Sequence, residues 1–308
     1  MKLQTNIEIP QPKRLIGIRN RVAFIGSCFA ENIGAKMRQS GMPALVNPFG
    51  VLYNPLSILH VMTHNPMDDA LYFEDEDGCW HCWLTDSSKN ASSLDACKAG
   101  VLSARGKFFE WNPDTIVITL GTNRYYERSI SGSSLVVGNC HKQPQAEFVE
   151  KALTVEEAAS ALESLCQLFP KAQVILTVSP YRYSKYGYHE SRISKAVLLL
   201  AVEEVQHRRP EQVCYFPAYE IQLDELRDYR FYNPDMLHPS AQAIDYIWER
   251  FVEHWLDAET HRYLMDYEPI RKALQHRPDT PDSAAAIRFR EQTQDRLNQL
   301  LTKYHIEL

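Results

Sequence analysis

The sequence lacks any apolar run approaching the ~18 residues that a membrane-crossing helix requires. Its longest, Ala196-Val-Leu-Leu-Leu-Ala-Val202, is far shorter, so no membrane partner is expected. The first twenty residues hold no uninterrupted apolar stretch, which argues against a secretory leader. A paired cysteine framework is also missing. The seven cysteines, at 28, 79, 82, 97, 140, 166 and 214, are odd in number and scattered. That pattern reads as reduced thiols in a cytoplasmic protein. Positive charge is not in excess: Lys and Arg total 33 against 39 Asp and Glu, a formal net charge of -6. A weakly acidic chain has no global electrostatic drive toward nucleic acid or anionic lipid. Internal repeats are absent.

What is present is an ordinary globular composition, 44% hydrophobic and 23% charged over 308 residues. That length can bury a sizeable core. Short β-branched runs alternate with helical periods. Strands are expected at 21–25, 44–47, 115–120, 173–178 and 213–216. Between them, Pro55 opens a helix, Leu94 to about Phe109 forms another, and Thr154 with Glu157 makes a capping-box signature. Further helices follow over about 191–207 and after Ser240, whose apolar face is Ile244, Ile247, Trp248, Phe251 and Trp255. Five strands separated by helices imply an α/β fold with a parallel sheet covered on both faces. Residues 68–92 and 127–147 fit neither period and read as loop insertions, the second a hairpin. The expected division is a domain over 1–256 and a charged helical extension over 257–308. The extension carries Leu297, Leu300, Leu301 and Tyr304 at helical spacing. That stripe needs a partner surface, on the domain or on a second subunit.

Open α/β sheets bind ligands beyond the carboxyl ends of their strands. Those ends deliver Gly26-Ser27-Cys28-Phe29-Ala30, Gly50, Gly121-Thr122-Asn123 and Ser179-Pro180-Tyr181, with Asp235-Met-Leu-His238-Pro239 near the last helix. Each alone is common turn or capping chemistry. Together they contain a hydroxyl nucleophile, a base, an orienting carboxylate and oxyanion donors at one edge of one sheet.

Gly26-Ser27-Cys28-Phe29-Ala30 resembles the name-giving motif of the GSCFA family, within the SGNH (GDSL-like) hydrolase superfamily. The resemblance extends in order through Asn47-Pro-Phe-Gly-Val-Leu-Tyr-Asn-Pro55, Leu120-Gly-Thr-Asn123, Asn139-Cys-His-Lys142, Thr177-Val-Ser-Pro180, Asp228-Tyr-Arg-Phe-Tyr232 and Asp235-Met-Leu-His-Pro-Ser240. It implies a flavodoxin-like three-layer α/β/α sandwich around a five-stranded parallel sheet. It further implies a serine hydrolase that acts on an acyl ester, of a carbohydrate or a small polar metabolite, by hydrolysis or by transfer. Ser27 then matches the nucleophile, His238 the base and Asp235 its orienting partner, while the Ser27 and Gly50 amides and the Asn123 side chain match the oxyanion donors. Arg124 departs from the pattern, because many superfamily members carry Asp there.

Other residues are weighed for supporting roles. Tyr181 and Tyr183, in a tyrosine-rich loop, and Trp80 and Trp83, in the first insertion, are candidate substrate walls. Arg124 with Tyr125 suits either a substrate anion or a structural ion pair. Cys28 is a rival nucleophile, but a small buried thiol packing in the core is the simpler expectation. His189 is a rival base without a partner of the Asp235 kind. Cys79-Trp-His-Cys82, with Cys97, Cys140 or His141, lacks the second close pair of a zinc site. Neither a metal nor a cofactor is expected.

Overall fold

A computed structural model describes residues 5–130, 132–278, 280 and 282–306. The chain runs β1 (Val22–Gly26), α1 (Cys28–Gln39), β2 (Ala44–Val46), α2 (Pro55–Thr63), β3 (Tyr72–Glu74), β4 (Trp80–Cys82), α3 (Leu94–Trp111) and β5 (Thr115–Leu120). It continues through β6 (Arg124–Ile130), β7 (Ser133–Val137), β8 (Phe148–Ala152), α4 (Val155–Leu168), β9 (Gln173–Val178), α5 (Tyr188–Arg208) and β10 (Val213–Tyr215). A short turn α6 (Ala218–Glu220) precedes α7 (Ala241–Trp255), α8 (Ala258–Gln275) and α9 (Ala284–Lys303).

The central sheet has the order β10-β9-β5-β1-β2, and every pairing in it is parallel. The expected five strands are those observed. Every residue of β1, β5 and β9 is buried, as continuous apolar strands covered on both faces should be. Alternate residues divide between two cores. Ala23, Ile25, Ile116, Ile118, Val174 and Leu176 pack with residues of α2, α3, α4 and α5. Val22, Phe24, Val117 and Ile175 pack with residues of α1, α7, α8 and α9. The result is the three-layer, flavodoxin-like arrangement.

After β1 the chain crosses to β2 on one side, then returns to build β5, β9 and β10 on the other. The strand order therefore reverses between β1 and β5, and the crevice at their carboxyl ends is where such sheets bind ligands. Gly26 closes β1 at φ 128°, and a Cβ there would overlap the Thr119 carbonyl oxygen of β5. Only glycine lets the two strands stay paired to this point.

The insertions form small sheets of their own. β3 and β4 make an antiparallel pair, and β7-β6-β8 a three-stranded antiparallel sheet. The second is larger than the expected hairpin, because Arg124 already belongs to β6 and Phe148–Ala152 adds a third strand. The helices after residue 257 dock on the domain. Tyr263 of α8 donates its hydroxyl to the Gly41 carbonyl, and Leu300 and Tyr304 join the core that holds Ile16, Phe251 and Trp255.

Candidate active site

The β1–α1 turn sits at the crevice. Ser27 is the N-cap of α1, and its Oγ accepts from the Phe29 amide at 3.3 Å. Its own amide donates to the Thr119 carbonyl at 3.1 Å, one bond beyond the β1–β5 ladder. Ser27 is 1% exposed. Cys28, the first residue of the helix, is partly exposed. Burial pushes the Cys28 thiol up, opposed by the backbone amides at the start of the helix and by the Lys195 ammonium.

The Asp-x-x-His motif forms a self-contained loop before α7. Met236 takes φ 61°, which folds Asp235 back on the residues that follow. Asp235 Oδ1 accepts from the Leu237 and His238 amides at 2.8 and 3.0 Å, and Oδ2 lies 2.6 Å from His238 Nδ1. The His238 ring and those two amides hold the Asp235 carboxyl down at about 2. Nδ1 thus carries its hydrogen toward Asp235, and Nε2 has no protein partner among the described residues. The tyrosine-rich loop clamps this one: the Arg182 amide and guanidinium donate to the Leu237 and Met236 carbonyls at 3.1 and 3.0 Å.

Tyrosines pack beside the Asp235–His238 loop. The Tyr181 ring lies 4.4 Å from the His238 ring, centroid to centroid, and 4.7 Å from Tyr183, which meets Tyr53 edge-on at 6.2 Å. Burial pushes the hydroxyls of all three tyrosines up. Tyr183 Oη is buried without a hydrogen-bond partner among the described residues. Beneath lies Lys195 of α5, fully buried, whose ammonium donates to the Gly121 and Ser179 carbonyls at 2.6 and 2.7 Å. Burial pulls it down to about 7. Neither Tyr53 nor Lys195 was singled out from the sequence. The signal for Lys195 was a lysine on the stripe Ser191, Leu198 and Val202, the buried face of α5.

The expected oxyanion donors are all engaged. The Ser27 amide bonds Thr119, the Gly50 amide bonds the Asn47 carbonyl at 2.9 Å, and Asn123 Nδ2 bonds the Leu153 carbonyl at 2.8 Å. Asn123 keeps a second amide hydrogen. Gly50, at φ 82°, sits against the Asp86 carboxylate, which leaves no room for a side chain.

Other sequence candidates lie elsewhere. Arg124 pairs with Glu150 at 3.3 Å and Glu190 at 2.8 Å and stacks on Tyr186, an ion-pair arrangement that ties β6 to β8 and α5. Tyr125 lines a separate groove with Leu56, Leu59 and Leu153. Trp83 stacks on Phe73 at 3.9 Å within the insertions, and Trp80 pairs with Ala91. Cys79 groups not with Cys82 but with Asp75 and His81, whose donor atoms lie within 4.8 Å of one another. His81 Nε2 is 2.7 Å from Asp75 Oδ2.

Two solved structures are similar to the chain at a low level. A family 3 carbohydrate esterase of Clostridium thermocellum is 10% identical, with a TM-score of 0.36, over 84% of this chain and 100% of that one. The acetyl xylan esterase Est2A, from the rumen bacterium Butyrivibrio proteoclasticus, is 14% identical, with a TM-score of 0.39, over 77% of this chain and 63% of that one. No curated protein matches the chain. The family profiles do. That of the GSCFA family covers residues 21–251, from the start of β1 to within α7, and so takes in the β1–α1 turn, Asn123 and the Asp235–His238 loop. That of the GSCFA domain protein C-terminal domain covers 267–307, the greater part of the helical extension. With three quarters of its length under the first profile, the chain belongs to the GSCFA family.

Proposed function

We propose that the protein cleaves or transfers an acyl ester through an acyl-enzyme formed at Ser27. One observation carries this reading. A histidine oriented by a carboxylate, whose second nitrogen has no protein partner among the described residues, packs on Tyr181, just past the carboxyl end of β9 in the central sheet. Asp235 selects the tautomer in which Nε2 can accept a proton, and it stabilises the imidazolium that results. The helix amides at the turn favour negative charge. They suit an oxyanion, with the remaining Asn123 amide hydrogen as a further donor.

The sequence resemblance points to Ser27 as nucleophile, which requires its hydroxyl to leave the capping bond to Phe29. The substrate class follows from what adjoins the site. Beyond Arg182 a groove of about 480 Å³ is lined by Arg192, Gln222, Asp228, Tyr229 and Tyr232. Planar rings mixed with amide, carboxylate and guanidinium groups suit the faces and hydroxyls of a sugar. An O-acylated carbohydrate or similar polar alcohol is therefore the proposed substrate.

Purified protein should release acid from acetylated saccharides or short p-nitrophenyl esters. His238→Ala should lower that rate by ~10³-fold or more. Equal rates in the variant, or no release by the wild type from any such ester, would overturn the reading and favour a binding role for the cleft.

A further inference from the structure

We propose that the groove beyond Arg182 binds an oxyanion, so that the ester's alcohol half is an acidic saccharide, one bearing a carboxylate or a phosphate. This rests on the esterase reading above and deepens it by naming the charge of the substrate. The groove carries Arg182, Arg192 and Arg227 with Asp224 and Asp228, and these charges do not cancel. Arg227 Nη1 stands 3.9 Å from Asp224 Oδ1, and Arg230 Nε stands 3.8 Å from Asp228 Oδ2. Both aspartates thus have a cation of their own. Arg182 and Arg192 pair with no carboxylate among the described residues. The chain as a whole carries -6, so this local excess of positive charge is not inherited from composition.

Arg182 is built into the wall. Its Nη1 donates to the Met236 carbonyl at 3.0 Å, and its guanidinium lies over the Tyr188 and Tyr232 rings at 4.5 and 5.2 Å. A guanidinium held flat in this way keeps its other N–H groups in a fixed fork, which suits an oxyanion. Gln222 supplies a second, independent sign of a ligand. It is 1% exposed and lines the same groove. Its Nε2 donates to the Phe231 carbonyl at 3.1 Å, while its Oε1 is buried without a hydrogen-bond partner among the described residues. Such an acceptor is satisfied by a donor from outside, and a sugar hydroxyl is one.

The groove is joined to the base. Tyr232 bridges to Pro239, the Ser240 amide donates to the Phe231 carbonyl at 2.8 Å, and the Arg182 amide donates to the Leu237 carbonyl at 3.1 Å. Tyr181, Arg182 and Arg192 also line one smaller hollow, and Tyr181 packs on the His238 ring. The groove therefore runs on toward His238. Walls this polar suit the alcohol half of an ester rather than its acyl half.

The test uses the full chain and three O-acetylated substrates: methyl glucuronoside, its uncharged carboxamide and glucose 6-phosphate. For at least one acid, kcat/KM should exceed that for the carboxamide by ~10-fold or more. The larger of the two ratios identifies carboxylate or phosphate as the anion. Arg192→Glu, at an exposed position, should cut that preference by ~10-fold or more, through KM. A purely structural role for Arg192 would lower all three rates alike. Raising salt from about 0.05 to about 0.5 M should shrink the wild-type preference, because the groove opens to solvent. Equal kcat/KM for acids and carboxamide, turnover of p-nitrophenyl acetate but of neither acid, or a preference intact in Arg192→Glu would overturn the anion subsite and leave the esterase reading standing. If no ester is turned over, the esterase reading fails by itself. The groove is then judged by saturation-transfer NMR with glucuronate and glucose 6-phosphate. A signal that Arg192→Glu abolishes supports the subsite, and no signal, or equal signals in both proteins, refutes it.

Discussion

Replacing Lys195 by methionine should alter how stability depends on pH. The lysine is fully buried, and its ammonium donates to the Gly121 and Ser179 carbonyls and lies over the Tyr183 and Tyr219 rings at 5.5 and 6.0 Å. Burial lowers it from 10.5 to about 7, with the Cys28 thiol as the opposing influence. At ~1.4 kcal/mol per pH unit, that drop corresponds to roughly 5 kcal/mol as an upper figure. Between about pH 7 and 10.5 the unfolded lysine keeps a proton that the folded one has lost. The unfolded state then binds more protons, so this group makes stability rise with pH across that window. Below about pH 7 both states are protonated, and its cost is constant and complete. Methionine has nothing to titrate. It also strands two carbonyls at ~1–3 kcal/mol each, so the two proteins' stabilities at one pH decide nothing. The informative quantity is the difference between wild type and Lys195→Met, by urea unfolding from about pH 6.5 to about pH 9.5. Wild type should gain on the variant by more than ~1 kcal/mol over that range. Parallel curves would refute a depressed lysine beneath the site.

Three other outcomes follow from the same geometry. Gly26→Ala should cost more than ~2 kcal/mol, read from the urea midpoint, because it combines a positive φ with overlap of the Thr119 carbonyl; an unchanged midpoint would mean that the end of β1 relaxes freely. Leu300→Ala removes a buried side chain from the core shared with Tyr263 and Trp255 and should cost ~2–4 kcal/mol, while folded variant keeps its ester turnover. Asp235→Asn should leave the fold intact by circular dichroism and lower kcat by ~10²–10⁴-fold, through loss of the tautomer that frees Nε2; a full rate would show that Asp235 only shapes its loop.

Much of the scaffold could be read from the chain alone, for local reasons. A parallel strand covered on both faces must be apolar along its whole length, so Thr115–Leu120 and Gln173–Val178 announce themselves. Thr154 and Glu157 meet across one helical turn, so their capping box is written in the spacing. Asp235 and His238 are likewise local, three residues apart on a single tight loop. What the chain could not disclose depends on partners distant in sequence. Phe148–Ala152 becomes a strand only because β6 pairs with it, and its alternation is too short to stand out. Arg124 is drawn into ion pairs by Glu150 and by Glu190, 66 residues on. Lys195 is an ordinary helix former until α5 buries it against two loop carbonyls. The place where β1 ends is of the same kind. The pairing of the Ser27 amide with Thr119, a residue 92 positions away, sets where β1 ends and the helix begins. Held there, Ser27 caps α1 with its Oγ on the Phe29 amide, which is a property of the sheet and not of the motif.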